Sequence, residues 1–233
     1  MIPFRDTLEV RNTPYITWSL MAINIAIFGY LQTLPDGYLF ALFQQYGVVP
    51  VRYNNPMWAI ITKTSATNYW PFVFSLFMHS SWMHLIMNMW MLWIFGDDIE
   101  DDMGKLRFII FYLLCGIGAN IVVVLVAATS PLPVIGASGA LAGILGAYIF
   151  IFPYAKIVVW IPIFFLPIFI EIPAIAFLGV WVIFQLNDLT TTLASDEATS
   201  LAWVGHLSGF FIGAVLYRIF LPGLKATARE KLQ

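Results

Sequence analysis

Gly136-Ala137-Ser138-Gly139 sets a serine between glycines at the mouth of a run of small and apolar residues. Glycines there remove the side chains that would block an attacking hydroxyl, and they permit turn conformations that other residues avoid. The same residues also fit a helix-packing seam of the G-x-x-x-G type, built on Gly139 and Gly143. Two distant stretches bear on the choice. His84 and Asn88 stand four residues apart, on one helix face. A neutral imidazole and an amide beside a nucleophile donate hydrogen bonds to a developing oxyanion, with the Ser138 backbone N–H as a further donor. Much later, Gly205-His206-x-x-Gly209-x-x-x-Gly213 places an imidazole on a bare glycine stripe. A serine becomes a nucleophile when such an imidazole takes its proton.

The elements that must position these groups lie in a membrane. The chain has 233 residues, 61% hydrophobic and 10% charged, with a net charge of -2 and a mean hydropathy of +0.84. Charged residues make up about 25% of ordinary soluble domains, so the composition is that of a polytopic membrane protein, and the charge argues against a nucleic-acid partner. Cys115 is the single cysteine, which excludes an intrachain disulfide. No short apolar core with a small-residue cleavage site opens the chain, so a removable signal peptide is not expected.

Six crossings are expected, at residues 15–34, 71–95, 106–129, 138–152, 172–187 and 201–221, the fourth a short one. Residues 35–70 are too polar to span and too aromatic for a free linker, which suits an excursion in the membrane interface. Asp97 to Asp102 reads as a solvated acidic loop. Residues 157–171 carry Pro162 and Pro167 and make a poor helix, so they are expected to lie in the interface or re-enter it. Asn187 to Ser200 reads as a polar loop and a candidate lid.

Arg5, Arg11, Lys105, Arg107, Lys156, Arg218, Lys225, Arg229 and Lys231 fall on one side of these crossings, and only Arg52 and Lys63 on the other. The positive-inside rule then puts both termini in the cytoplasm, and a bacterial inner membrane is expected. The second, fourth and sixth runs all start on the outer side. His79, His84 and Asn88 lie in the outer half of the second, Ser138 starts the fourth, and His206 sits roughly 8 Å into the sixth at 1.5 Å per residue. All share one depth. The stripe Gly205, Gly209 and Gly213 can then approach Gly139, Gly143 and Gly146 closely, bringing His206 against Ser138. His79, five residues before His84, lies on a different face and is expected to tie the first loop to the second helix. A zinc site of His79, His84 and His206 would need an open fourth position, but the chain lacks a His-Glu-x-x-His pattern and any carboxylate near these histidines.

Together these residues resemble the rhomboid family of intramembrane serine proteases. The resemblance takes in Met-Ile-Pro-Phe-Arg-Asp at the start, His79-x4-His84-x3-Asn88, and Phe95-Gly96 followed by Glu100 and Gly104. It continues through Gly136-x-Ser138-Gly139 and Gly205-His206-x-x-Gly209-x-x-x-Gly213. It implies an all-α membrane protein, a six-helix bundle forming one domain over residues 1–233. It also implies a Ser138/His206 dyad with no third acid, and an oxyanion site of His84, Asn88 and the Ser138 N–H. Two positions depart from the pattern. Many relatives carry Trp-Arg late in the first loop where this chain has Trp70-Pro71, and some place an aromatic residue four positions after the serine, where Ala142 stands.

The activity expected is that of a serine endopeptidase cutting single-span membrane proteins in or near their spans, with the bilayer as its other partner. No cofactor and no metal is expected. The alternative is a rhomboid-like pseudoenzyme that binds membrane clients without cleavage; its usual mark is loss of the serine or the histidine, and both are present. A transporter relaying protons through buried histidines would carry intramembrane Asp or Glu, and none sits mid-span.

Overall fold

The computed structural model describes residues 2–163, 166–192 and 197–221. At its centre is α8 (Ser138–Ile151), in which every residue from Ala140 to Tyr148 is buried. A helix apolar on all sides belongs in a core. Packed around it are α6 (Trp82–Met103), α7 (Lys105–Val126), α9 (Ala174–Thr192) and α10 (Glu197–Phe220). The 14 residues of α8 rise about 21 Å. That is short of a hydrocarbon core of about 30 Å.

The glycines set how close α8 and α10 come. A Cβ on Gly209 would overlap the Gly139 carbonyl, one on Gly213 the Gly143 carbonyl, and one on Gly146 the Phe210 carbonyl. Gly205 stands apart, because a Cβ there would meet only Val123 Cγ2 of α7, at 3.6 Å.

Two of the described helices, Lys105–Val126 and Leu201–Phe220, are long and apolar enough by themselves to cross a membrane. Tyr15–Leu31, Ser138–Ile151 and Ala174–Thr190 are shorter apolar helices. The chain is mainly helical, with two clear membrane-span candidates among the described residues.

It is not all-α. The described residues of 157–171, expected to make a poor helix, form most of a hairpin, β2 (Lys156–Ile163) and β3 (Leu166–Pro173). The first residues add β1 (Ile2–Asp6), giving a three-stranded antiparallel sheet in the order β1-β2-β3. Ile2 pairs with Trp160 and Asp6 with Ile157. The prolines that forbid a helix are tolerated at the far end of the hairpin, where Pro162 pairs with Pro167. β1 is tied to α6 by the Trp90 indole, which donates to the Pro3 carbonyl at 2.6 Å.

The acidic cluster is likewise no solvated loop. It forms the last turns of α6, with Asp98 and Glu100 buried. The reason lies at α1 (Tyr15–Leu31), whose N-cap position is Pro14 and supplies no side-chain acceptor. Glu100 fills that role from a distance, accepting the Ile16 N–H at 3.0 Å and the Thr17 N–H at 2.7 Å. Asp101 accepts the backbone amides of Arg11 and Asn12. Carboxylates suit a helix N-terminus, where the first N–H groups lack partners and the dipole is positive. Glu100→Ala leaves one buried and one partly buried donor unsatisfied, the buried one costing about 1–3 kcal/mol and the other less. An unfolding titration in mild detergent is expected to show a loss of about 2–4 kcal/mol, with Glu100→Gln falling between.

The first loop folds as α2 (Asp36–Tyr46), α3 (Pro50–Asn54) and α4 (Pro56–Ile61), and the second crossing expected at 71–95 is divided between the short α5 (Pro71–Phe74) and α6. Tyr38, Phe40, Ile60 and Ile61 remain exposed, as an interfacial excursion requires. No Trp-Arg pair is needed to anchor it. Val48 and Val134 exchange backbone hydrogen bonds, the Val51 N–H donates to the Ser130 carbonyl, and buried Arg52 donates to the carbonyls of Gln44 and Gln45 in the last turn of α2. The polar loop expected at 187–200 is also largely helical, since α9 runs to Thr192 and α10 begins at Glu197. Only residues 193–196 separate the two helices; they lie outside the described residues, and so does the part of the lid expectation that falls on them.

Candidate active site

Ser138, His206, His84 and Asn88 line one cavity of about 510 Å³. Its walls come from α6, α7, α8, α10 and the strip Leu132 to Gly136. The strip is held from behind, by Val48 at Val134 and by the Ser75 carbonyl, which accepts the Gly136 N–H at 2.8 Å. Ser138, half-buried, opens α8 directly after its N-cap residue, Ala137.

His84 is positioned by the start of α6. Ser81 is the N-cap and accepts the His84 N–H at 3.2 Å, while Ser80 Oγ lies 3.3 Å from His84 Nδ1. That bond leaves Nε2 facing Gly136. A Cβ on Gly136 would come within 2.6 Å of His84 Nε2, and its φ of +121° is one that side chains rarely adopt. Gly136 is therefore a backbone cradle against His84 and Asn88, whereas its expected place was in a helix-packing seam. One turn on, Asn88 is buried, and its Nδ2 donates to nothing among the described residues.

His206 lies on the other side of the cavity. Among the described residues no hydrogen bond joins it to Ser138. Its Nδ1 lies 2.8 Å from Gln185 Oε1 on α9. The Trp181 ring, one turn earlier on α9, stands 6.3 Å from the imidazole, and Trp203 meets it edge-on at 5.6 Å. Gln185 went unnoticed in the sequence, although it is the lone amide in the apolar run from Ile172 to Leu186.

His79 is fully buried and packs edge-on against His84, with ring centroids 4.9 Å apart. Neither of its ring nitrogens has a hydrogen-bond partner among the described residues, so no such bond ties the first loop to α6 through it. Among the described residues no three His, Cys, Asp or Glu side chains are grouped to hold a metal ion.

The profile of the Rhomboid domain matches residues 66–223, which take in all four of these cavity residues. The mitochondrial Rhomboid protein 1 of Saccharomyces cerevisiae is 29% identical over 225 residues, covering 93% of this chain and 55% of the yeast protein. The chloroplastic Rhomboid-like protein 11 of Arabidopsis thaliana is 28% identical over 159 residues, 64% of this chain and 51% of the relative. The mitochondrial Presenilin-associated rhomboid-like protein of Mus musculus is 36% identical over 151 residues, 61% of this chain and 36% of the relative. The chain thus spans about half the length of the first two relatives. Their names overturn the expectation of a bacterial inner membrane and point to an organellar one; the cytoplasmic placement of the termini falls with it. The family consists in general of intramembrane serine proteases, and its profile covers most of this sequence. This chain belongs to the rhomboid family.

Proposed function

We propose that the protein is an intramembrane serine endopeptidase of an organellar membrane, acting on single-span membrane proteins through Ser138 and His206. The six apolar segments, taken as one domain crossing the membrane six times, would hold the site below the surface. One observation carries the reading: a hydroxyl, an imidazole and two further donors from three separate helices converge on a single cavity. In this mechanism His206 takes the proton of Ser138 Oγ as that oxygen attacks the scissile carbonyl. The imidazolium then returns the proton to the leaving amine, and water entering the cavity hydrolyses the acyl-enzyme.

The oxyanion would be met by His84 Nε2–H, Asn88 Nδ2–H and the Ser138 N–H. Support comes from the contact of Ser80 Oγ with His84 Nδ1, which leaves the ring proton on Nε2 when the hydroxyl donates, and from the unused buried donor on Asn88. Removing one preorganised donor costs about 10²–10³ in kcat. His84→Ala and Asn88→Ala are each expected to lower kcat toward that range and leave activity measurable, because the backbone donor remains. A double variant cleaving at the wild-type rate removes both from the mechanism.

The direct test is covalent. A fluorophosphonate should label the wild-type protein at Ser138 and fail to label Ser138→Ala. A correctly folded wild-type protein that stays unlabelled, yet retains a single-span client in a pull-down, is instead the client-binding pseudoenzyme.

A further inference from the structure

We propose that α9 orients the base of the dyad, with Gln185 fixing the proton on His206 and Trp181 backing its ring. This rests on the reading of Ser138 and His206 as a dyad. α8 cannot supply the support, because Ala142, four residues after the serine, is buried and offers only a methyl group.

α9 does supply it. Trp181 and Gln185 stand one turn apart on the same face of that helix, and both meet His206. The amide is buried at 6% exposure, in a stretch otherwise made of apolar residues from Leu178 to Leu186. A buried amide is costly unless it is hydrogen-bonded. The imidazole is the side chain it bonds.

The chemistry follows from the atom that faces the ring. An amide oxygen only accepts, so Nδ1 carries the proton and Nε2 holds the lone pair. Nε2 is then the atom that takes the proton from Ser138 Oγ and later releases it to the leaving amine, while Nδ1–H stays on Gln185 throughout. Being neutral, the amide sets tautomer and ring direction without placing a counter-charge beside the imidazolium. Gln185 is a positioning residue, since it acts through His206 and touches no reacting atom.

The test uses the full chain in detergent or liposomes with a model single-span substrate. Gln185→Met removes the acceptor at nearly constant volume. It should lower kcat by about 10–100-fold, less than the roughly 10²–10⁴ that a positioned base contributes because the base itself remains, with KM and the unfolding midpoint close to wild type. Gln185→Glu keeps an oxygen in place and should retain clearly more kcat than Gln185→Met. If Gln185→Met does not fold, Gln185→Asn takes its place; it draws the acceptor back by one methylene and should also lower kcat selectively. Wild-type kcat in folded Gln185→Met or Gln185→Asn overturns the proposal. So does an equal fall in Gln185→Glu and Gln185→Met, which would mark a packing position. A wild-type protein that neither cleaves nor labels at Ser138 brings down the dyad reading itself, and this inference with it. Normal labelling of every Gln185 variant at the wild-type rate brings down the inference alone.

Discussion

Ser138→Ala is expected to slow cleavage of a single-span substrate by at least about 10⁴-fold, and His206→Ala by a similar factor, as when one member of a nucleophile–base pair is lost. The two losses should not add. Once either partner is gone the other has nothing to act on, so the double variant should be no slower than the singles. Folding is a weak confounder for the serine, which is half-buried and is not the N-cap residue of α8. His206→Ala forfeits the Gln185 bond and some aromatic packing, so its unfolding midpoint must be measured alongside its rate. Cleavage within tenfold of wild type by either single variant would refute the dyad.

Gly209→Val is expected to be among the most damaging apolar substitutions in the chain, while Gly205→Ala, one turn away on the same helix, is tolerated. At Gly209 the added carbon overlaps the Gly139 carbonyl, and neither group can rotate away because both belong to helix backbones. Relief requires α10 to move off α8, which separates His206 from Ser138. Overpacking a core costs about 1–3 kcal/mol even where side chains can adjust, so a backbone clash should cost more than that range. Gly205→Ala meets Val123 at an ordinary 3.6 Å, and alanine favours a helix over glycine by about 1 kcal/mol. It should be neutral or slightly stabilising. Unfolding in detergent with parallel cleavage assays separates the two; equal damage at both sites would mean that the α8–α10 approach is not what these glycines serve.

The contrast between those glycines marks the limit of reading the sequence. Four-residue spacing put Gly205, Gly209 and Gly213 on one stripe, and helix periodicity alone makes them equivalent. Which of them faces a backbone depends on the crossing of α8 and α10, and Gly205 turns out to face α7. The meeting of Ser138, His84, Asn88 and His206 at one cavity was legible because it needs only the order of apolar runs and a rise per residue. The acidic turns of α6 were misread because their partner, the uncapped start of α1, lies more than eighty residues away. The sheet was hidden for the same reason. Pro162 and Pro167 excluded a helix, but nothing local announces that Ile2 to Asp6 will supply the third strand. Gln185 did leave a signal, a single amide in an apolar run, and its meaning depended on knowing which face of α9 meets His206.

That sheet bears on the order in which the protein is made. Ile2 pairs with Trp160 and Asp6 with Ile157, so the first strand leaves the ribosome long before either partner exists. α1 follows it, and the Glu100 carboxylate that caps α1 is also translated later. The leading segment must therefore wait, unpaired, until α8 and the hairpin behind it have been synthesised. Closing so long a loop adds little cost, since the entropy of closure grows only with the logarithm of its length. Residues 2–6 thus find their place only after residues 157–160 have been made.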